Sequence, residues 1–164
     1  MTNEIYGIDY LRRRLADKQT RVLLRYKYYE MKNNAQDFSS LAPEKFKGLK
    51  ETVGWCAKAV DSLADRLQFD EFQNDEFNLS EIFLSNNQDI LIDSAVLSAL
   101  ISACSFVYIR EDNGYPRLQV IDGSNATGII DPVTNLLTEG YAVLERASMG
   151  VVKTEAYFMA GMTE

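Results

Sequence analysis

The sequence predicts an α+β protein in which N-terminal helices pack on an antiparallel sheet of hairpins. Three observations indicate this class. Residues up to 104 carry apolar side chains at helical spacing, later residues form short apolar runs between turn residues, and one of those turns is an Asn-Gly pair. Helices followed by hairpins are typical of α+β folds. We therefore expect one domain over residues 1–164, mainly helical in 1–104 and mainly β in 105–164.

The first predicted helix covers residues 8–32 and has a basic outer surface. No Gly or Pro interrupts it, and its apolar positions at helical spacing are Ile8, Leu11, Leu15, Val22, Tyr26 and Tyr29. The other faces carry the arginines Arg12, Arg13, Arg14, Arg21 and Arg25. The aromatic positions on the apolar stripe favour core packing over stacking on nucleic-acid bases.

A second helix is expected at about residues 49–67, after a loop over 33–48 that contains Asn, Ser, Pro and Gly. Its apolar stripe consists of Leu49, Val53, Cys56, Val60, Leu63 and Leu67. Trp55 lies at the rim of this stripe and is expected to anchor the packing. Cys56 and Cys104 both fall in predicted apolar faces, so we interpret them as small buried hydrophobes and not as a disulfide or metal pair.

Two further helices complete the helical half. An irregular acidic and aromatic segment at 68–77 precedes Asn78-Leu79-Ser80-Glu81, which resembles a capping box and predicts a short helix ending near Asn86-Asn87. Residues 88–104 are apolar on nearly all sides, so they predict a helix at the centre of the core. They are too short, and too often interrupted by Ser and Asp, to span a bilayer.

The second half of the chain predicts hairpins. Residues 106–109 and 118–121 predict two strands joined by a turn at 111–114, because Asn-Gly supplies the positive φ angles of a tight turn. Asp131-Pro132 marks another turn, and residues 140–146 and 151–158 predict a second hairpin across 147–150. We interpret Asp122, Asp131 and Glu139 as turn residues.

The charge of the chain is unevenly distributed. Residues 1–32 hold eight Lys and Arg against four Asp and Glu, whereas residues 67–164 hold four against fifteen, within a net charge of −7. A basic N-terminal segment followed by an acidic remainder favours association between copies of the chain. Contact of the arginines with DNA phosphate and a merely solvated helix face remain the two alternatives.

Few catalytic chemistries are compatible with this composition. Histidine is absent, which excludes Ser-His-Asp and Cys-His nucleophile systems, and no glycine-rich phosphate loop is present. A carboxylate cluster remains, consisting of Asp70, Asp75, Glu76 and Glu81; it fails as a calcium loop, and a metal-dependent hydrolase is the enzyme alternative. A solvated acidic loop explains the cluster better. We therefore predict no catalytic residue, no cofactor and no metal.

Several motifs occur in a characteristic order. The basic helix closes on Tyr28-Tyr29, and Trp55 precedes Val60-Asp61-Ser62-Leu63-Ala64-Asp65-Arg66-Leu67. An apolar helix then passes into a strand over residues 94–107 and reaches the turn at Asn113-Gly114, and Asp131-Pro132 follows. This order, from about Leu11 to about Glu145, resembles the N-terminal wing part of the portal proteins of tailed double-stranded DNA bacteriophages. Gly54 before Trp55, where Asn is usual, and Cys104-Ser105, in place of a Gly-containing step, depart from the family pattern.

The resemblance implies a structural role without enzymatic activity. Portal subunits form a ring, usually dodecameric, at one capsid vertex; the phage DNA is packaged and later ejected through this head-tail connector. The implied partners are other copies of the chain, the terminase motor, capsid or scaffold proteins, head-tail adaptors and the passing DNA, with no membrane. The implied location is the virion, after assembly in the bacterial cytoplasm. We expect the stem, channel loop and clip beyond Glu164, so that the chain is a fragment. Another head-tail adaptor or morphogenesis protein is the alternative within phage proteins.

Overall fold

A computed structural model describes residues 5–32, 54–159 and 162–163. Four α-helices lie in this part of the chain: α1 Ile8–Tyr29, α2 Trp55–Ala64, α3 Leu79–Ser85 and α4 Gln88–Ser102. The strands are β1 Ser105–Asp112, β2 Tyr115–Asp122, β3 Ala126–Ile130, β4 Leu137–Arg146, β5 Val152–Met159 and β6 Met162–Thr163. The predicted loop over 33–48 and the stripe positions Leu49 and Val53 lie outside the described residues. The predicted α+β class is confirmed.

The strands form two antiparallel sheets and not one. β1 and β2 form a two-stranded ribbon, and the second sheet has the order β3-β4-β5-β6. Strand β3 was not predicted, because Ala126-Thr127-Gly128 lacks the alternation of apolar and polar residues that marks a half-buried strand. The ribbon and the larger sheet share a core in which Ile121, Ala126 and Ala142 are buried, with Phe106 and Phe158 packed against them.

Helix α1 confirms the prediction for residues 8–32, apart from its last turn. Leu11, Leu15 and Val22 are buried, as their helical spacing requires. Leu11 and Leu15 pack against Tyr141 and Val143 of β4 and against Tyr157 of β5. The helix is therefore fixed to the larger sheet through its N-terminal half.

The hairpin between β1 and β2 is the one that the Asn-Gly pair predicts. Asn113 and Gly114 have φ angles of 53° and 82°, and Asp112 pairs with Tyr115 directly across the turn. Two consecutive positive φ angles twist the chain in the sense that flanking strands need. The second predicted hairpin, β4 with β5 across residues 147–151, is also present.

The predicted packing of α2 is wrong. Trp55 is 80% exposed, Leu63 is 49% exposed and Cys56 is also exposed, whereas Ala57 is buried. The helix is rotated relative to the predicted stripe, so that small side chains face the neighbouring helices. Asp61 lies on that same side and accepts a hydrogen bond from Tyr29 of α1, which fixes the rotation.

The start of α3 also differs from the prediction. Asn78 adopts a left-handed conformation and its side chain makes no capping bond. The carboxylate of Asp75 instead accepts hydrogen bonds from the backbone N–H groups of Leu79 at 2.6 Å and Ser80 at 2.8 Å. Asp75 thus supplies the acceptor that the first turn of the helix needs.

Helix α4 is central on one side only. Leu91 and Ile101 are buried together with Ser98 and Ser102, but Ile90 is 69% exposed. The hydroxyl of Ser102 donates to the carbonyl of Ser98 or Cys104 and accepts from the N–H of Gly123, so its burial is compensated. Cys104 was predicted to be buried, and it is half-buried in the structure.

Candidate functional site

The arginines of α1 separate into three groups. At 3.6 residues per turn, Arg14, Arg21 and Arg25 share one side of the helix, beside its buried face, while Arg13 lies about a third of a turn away. All four side chains are exposed and form no ion pair within the described residues. We call Arg14, Arg21 and Arg25 the basic stripe. It is a row of exposed cations on one side of α1, and its members have no acidic partner in the described part of the chain.

Arg12 belongs to a different environment. Its guanidinium contacts the carboxylates of Glu155 on β5 and, at 3.1 Å, of Asp9 one turn earlier. The hydroxyl of Tyr141 donates to the same Glu155 carboxylate. The hydrogen bond with Glu155 raises the pKa of Arg12, and the guanidinium lowers the pKa of Glu155. Arg12 therefore joins α1 to the sheet and is not a free cation for a partner.

Lys18 is a basic residue whose role the sequence analysis missed. It is half-buried, with Nζ 2.6 Å from the carbonyl oxygen of Ala126, 3.7 Å from Sγ of Cys104 and 5.7 Å from the centre of the Phe106 ring. Burial lowers the pKa of Lys18. Gln19 adds a hydrogen bond of 3.1 Å to the carbonyl of Ser124. These contacts fix the middle of α1 to the start of β3.

The structure joins two of the motif residues that carry the family resemblance. Tyr29 Oη donates a hydrogen bond of 2.8 Å to Oδ1 of Asp61, and this bond raises the pKa of Tyr29. Tyr28, Trp55 and Arg66 do not join them, since all three side chains are exposed.

The motif residues of the β half shape turns. Asn113 and Gly114 form the tip of the first hairpin. Asp131 accepts a 2.8 Å hydrogen bond from the N–H of Val133, and this bond lowers the pKa of Asp131. Pro132 follows it in the same turn, and both positions agree with the prediction. Asp122 likewise accepts from the turn residue Ser124.

Glu139 is the predicted turn residue that the structure places elsewhere. It lies within β4 and is only 3% exposed. Its carboxylate accepts hydrogen bonds from the N–H groups of Tyr6 at 2.8 Å and Gly7 at 2.9 Å, and from Tyr157 Oη at 2.7 Å. Burial by itself raises the pKa of Glu139, but these three donors outweigh it and the net pKa is lowered. The residue ties the start of α1 to the sheet.

An acidic cleft lies between α2 and α4. Asp61, Asp65 and Asp93 line it together with apolar residues, and its volume is about 340 Å³. The apolar part of the lining comprises Ala64, Leu67, Val96 and Leu97. Asp65 and Asp93 are exposed and form no ion pair within the described residues. The acidic cleft and the basic stripe carry opposite charges and lie on different elements of the same chain.

The carboxylates of the enzyme alternative are not arranged as a metal site. The carboxylate of Asp75 accepts hydrogen bonds from the backbone at the N-terminus of α3, and these bonds lower the pKa of Asp75. No group of three His, Cys, Asp or Glu side chains in residues 5–32, 54–159 and 162–163 is placed to hold a metal ion.

Two comparisons with known proteins found no match. No family model matches the chain, and no curated protein matches it. Among the helices of the described segments, none combines the length and apolar character that crossing a membrane requires. The motifs quoted above are therefore the basis on which a function can be proposed.

Proposed function

We propose that this chain is a subunit of the portal ring of a tailed double-stranded DNA phage. The ring would stand at one capsid vertex as the head-tail connector through which DNA is packaged and ejected. The subunit is structural and carries no catalytic residues. Its partners are other copies of itself, in a ring of twelve in the usual arrangement, together with the terminase, capsid or scaffold proteins, head-tail adaptors and the DNA.

The contact between Tyr29 and Asp61 is the observation that supports this proposal most. The two residues come from separate motifs of the resemblance, the Tyr-Tyr pair and the Val-Asp-x-Leu-Ala segment. They are 32 residues apart in sequence and 2.8 Å apart in space. Each motif is loose on its own. The resemblance is strengthened because residues of two motifs form one tertiary contact that holds α1 against α2.

The charge distribution supports assembly into a ring. A closed ring needs two different surfaces on each subunit, one for each neighbour. The basic stripe on α1 and the acidic cleft between α2 and α4 are complementary in charge and lie on different elements. We infer that the basic stripe of one subunit meets the acidic cleft of the next. Electrostatic complementarity of this kind fixes the register of subunits more than it adds affinity.

A charge exchange in the product of the whole gene tests this arrangement. Reversing Arg14 and Arg25 to Glu should abolish rings in negative-stain electron micrographs, and so should reversing Asp65 and Asp93 to Lys. Combining the four changes should restore rings, because the attraction is recovered with opposite signs.

The matched control for the charge exchange reverses Arg13 and Lys27, two exposed basic residues on another side of α1. This variant has the same change in net charge and should assemble normally. Rings that survive the Arg14 and Arg25 reversal would contradict the inferred contact, while the portal proposal would still stand on the presence of rings. Absence of rings in the unaltered protein would contradict the proposal itself.

A further inference from the structure

The outer edge of β1 carries backbone groups without partners. In a hairpin closed by a two-residue turn, the pair next to the turn is hydrogen-bonded, and bonded pairs then alternate along the strands. The pair next to the turn is Asp112 with Tyr115, so alternate residues of β1 bond to β2. Val107, Ile109 and Glu111 therefore direct their N–H and C=O groups outward. None of these groups forms a hydrogen bond within the described residues.

The outer edge of β2 is capped at its turn end, in contrast. Pro116 has no N–H to offer, and its carbonyl accepts a 3.0 Å hydrogen bond from the side chain of Asn86. The same side-chain amide accepts a 2.9 Å bond from the N–H of Leu118. Proline and side-chain caps are means by which proteins prevent an edge strand from pairing further. The ribbon thus has one edge that is capped near the turn and one edge that has no such cap.

The outer edge of β1 is also apolar and accessible. Val107 is 46% exposed and Ile109 is 64% exposed. A cavity of about 460 Å³ runs along residues 106–111, between the ribbon and the larger sheet. Its lining includes Phe106, Tyr108 and Phe158. An accessible apolar edge with unpaired backbone groups is a site for the addition of another strand.

We propose that β1 pairs antiparallel with β1 of a second copy of this chain, with Ile109 opposite Ile109 at a two-fold axis. In this register Val107 of each copy lies opposite Glu111 of the other. Every outward N–H and C=O group of Val107, Ile109 and Glu111 then has a partner. The two ribbons become one four-stranded sheet in the order β2-β1-β1-β2.

The side chains of β1 are complementary to themselves in this register. Val107 and Ile109 of both copies form a continuous apolar centre, and Glu111 lies at each end of it, as in interfaces with an apolar core and a polar rim. On the other face, Arg110 of one copy lies opposite Tyr108 of its partner, a pairing in which a cation meets an aromatic ring. No two like charges are directly opposite each other across the proposed pairing of the two β1 strands.

This contact is independent of the portal proposal. A two-fold contact uses the same surface on both copies, so by itself it joins two chains, and between chains that already form rings it would join one ring to another. The ring contact proposed above uses α1, α2 and α4 and involves no strand of the ribbon. Failure of one proposal therefore leaves the other unaffected.

Cross-linking tests the register. In a background with Cys56→Ala and Cys104→Ala, the Ile109→Cys protein should form a disulfide-linked pair of chains under mild oxidation, because the two Cα atoms would lie within disulfide range. Glu111→Cys is the matched control on the same edge and should give no such pair. An equal mixture of Val107→Cys and Glu111→Cys proteins should cross-link. Equal cross-linking of the Ile109→Cys and Glu111→Cys proteins would overturn the register.

Sedimentation velocity tests the pairing without disulfides. Ile109→Lys and Ile109→Glu should each raise the dissociation constant of the pair by about tenfold or more, because like charges would then face each other across the axis. Mixing the two variants should restore association, since Lys would face Glu. Leu136→Lys is the control, because Leu136 is an equally exposed apolar side chain at 67% and lies outside the ribbon.

The results of this experiment separate clearly. Three results together would establish the contact. Ile109→Lys should weaken the association of the chain, the mixture of the two variants should recover it, and Leu136→Lys should leave it unchanged. Two results would overturn it: an unaltered chain that shows no pairing through β1 at any concentration tested, or Ile109 variants that associate as well as the unaltered chain.

Discussion

Removal of the Glu139 carboxylate should destabilise the protein far more than removal of any exposed carboxylate. Glu139 is 3% exposed and accepts three hydrogen bonds, from Tyr6, Gly7 and Tyr157. A hydrogen bond to a charged group contributes about 1.5–3 kcal/mol, so three would contribute about 4.5 kcal/mol or more. The net loss is smaller here, because the two backbone donors can regain water. Glu139→Ala should therefore cost about 3 kcal/mol. For a chain of this size that lowers the Tm by about 6–12 °C.

The measurement is urea unfolding at pH 7, with Glu145→Ala as the control. Glu145 lies on the same strand, but it is half exposed, and its carboxylate contacts Lys153 and Thr154 at the surface. Its removal should change the free energy of unfolding by about 0.5 kcal/mol or less. Equal effects of the two substitutions would refute the reasoning, because they would mean that the three hydrogen bonds contribute nothing net.

The pH dependence provides a second readout of Glu139. Its folded-state pKa is lowered, so its stabilising contribution is present above the unfolded-state pKa and is lost as the pH falls through the folded-state pKa. Glu139→Gln removes this titration. The difference in unfolding free energy between the unaltered chain and Glu139→Gln should therefore be largest at pH 7 and should shrink below about pH 4. A difference that stays constant with pH would contradict the assignment.

Three further predictions concern local contacts, and urea unfolding measures each. Tyr29→Phe should cost about 1 kcal/mol, and a double-mutant cycle with Asp61→Ala should give a coupling of at least about 0.5 kcal/mol; additive effects would contradict the contact. Asp75→Ala should cost about 1 kcal/mol through the lost cap of α3, while Glu76→Ala should be close to neutral. Gly114→Ala should cost about 1 kcal/mol because its φ is 82°, and an unchanged stability would mean that the turn relaxes.

Features that depend on near neighbours in sequence could be predicted. The buried positions Leu11, Leu15 and Val22 follow from the helical period, since one side of α1 meets the sheet. Asn113-Gly114 predicts its own turn because few residue pairs adopt two positive φ angles. The helical and β halves follow from the change in period near residue 104.

Features that depend on distant partners could not be predicted. Arg12 is fixed to the sheet, unlike Arg14, because it contacts Glu155 of β5, which lies more than a hundred residues later in the sequence. Glu139 is recognisable as a buried acceptor only once the chain start and β5 are placed beside it. The rotation of α2, which exposes Trp55, depends on its contact with α1. Local propensity is weaker than such tertiary contacts.

Electron microscopy of the whole gene product in negative stain tests the central proposal most directly. The portal proposal predicts rings of uniform diameter with a central channel. Those rings should be lost when Arg14 and Arg25 are reversed to Glu, and recovered when Asp65 and Asp93 are also reversed to Lys. A uniform population of single chains, at concentrations where ring proteins assemble, would contradict the proposal and favour a different class of protein.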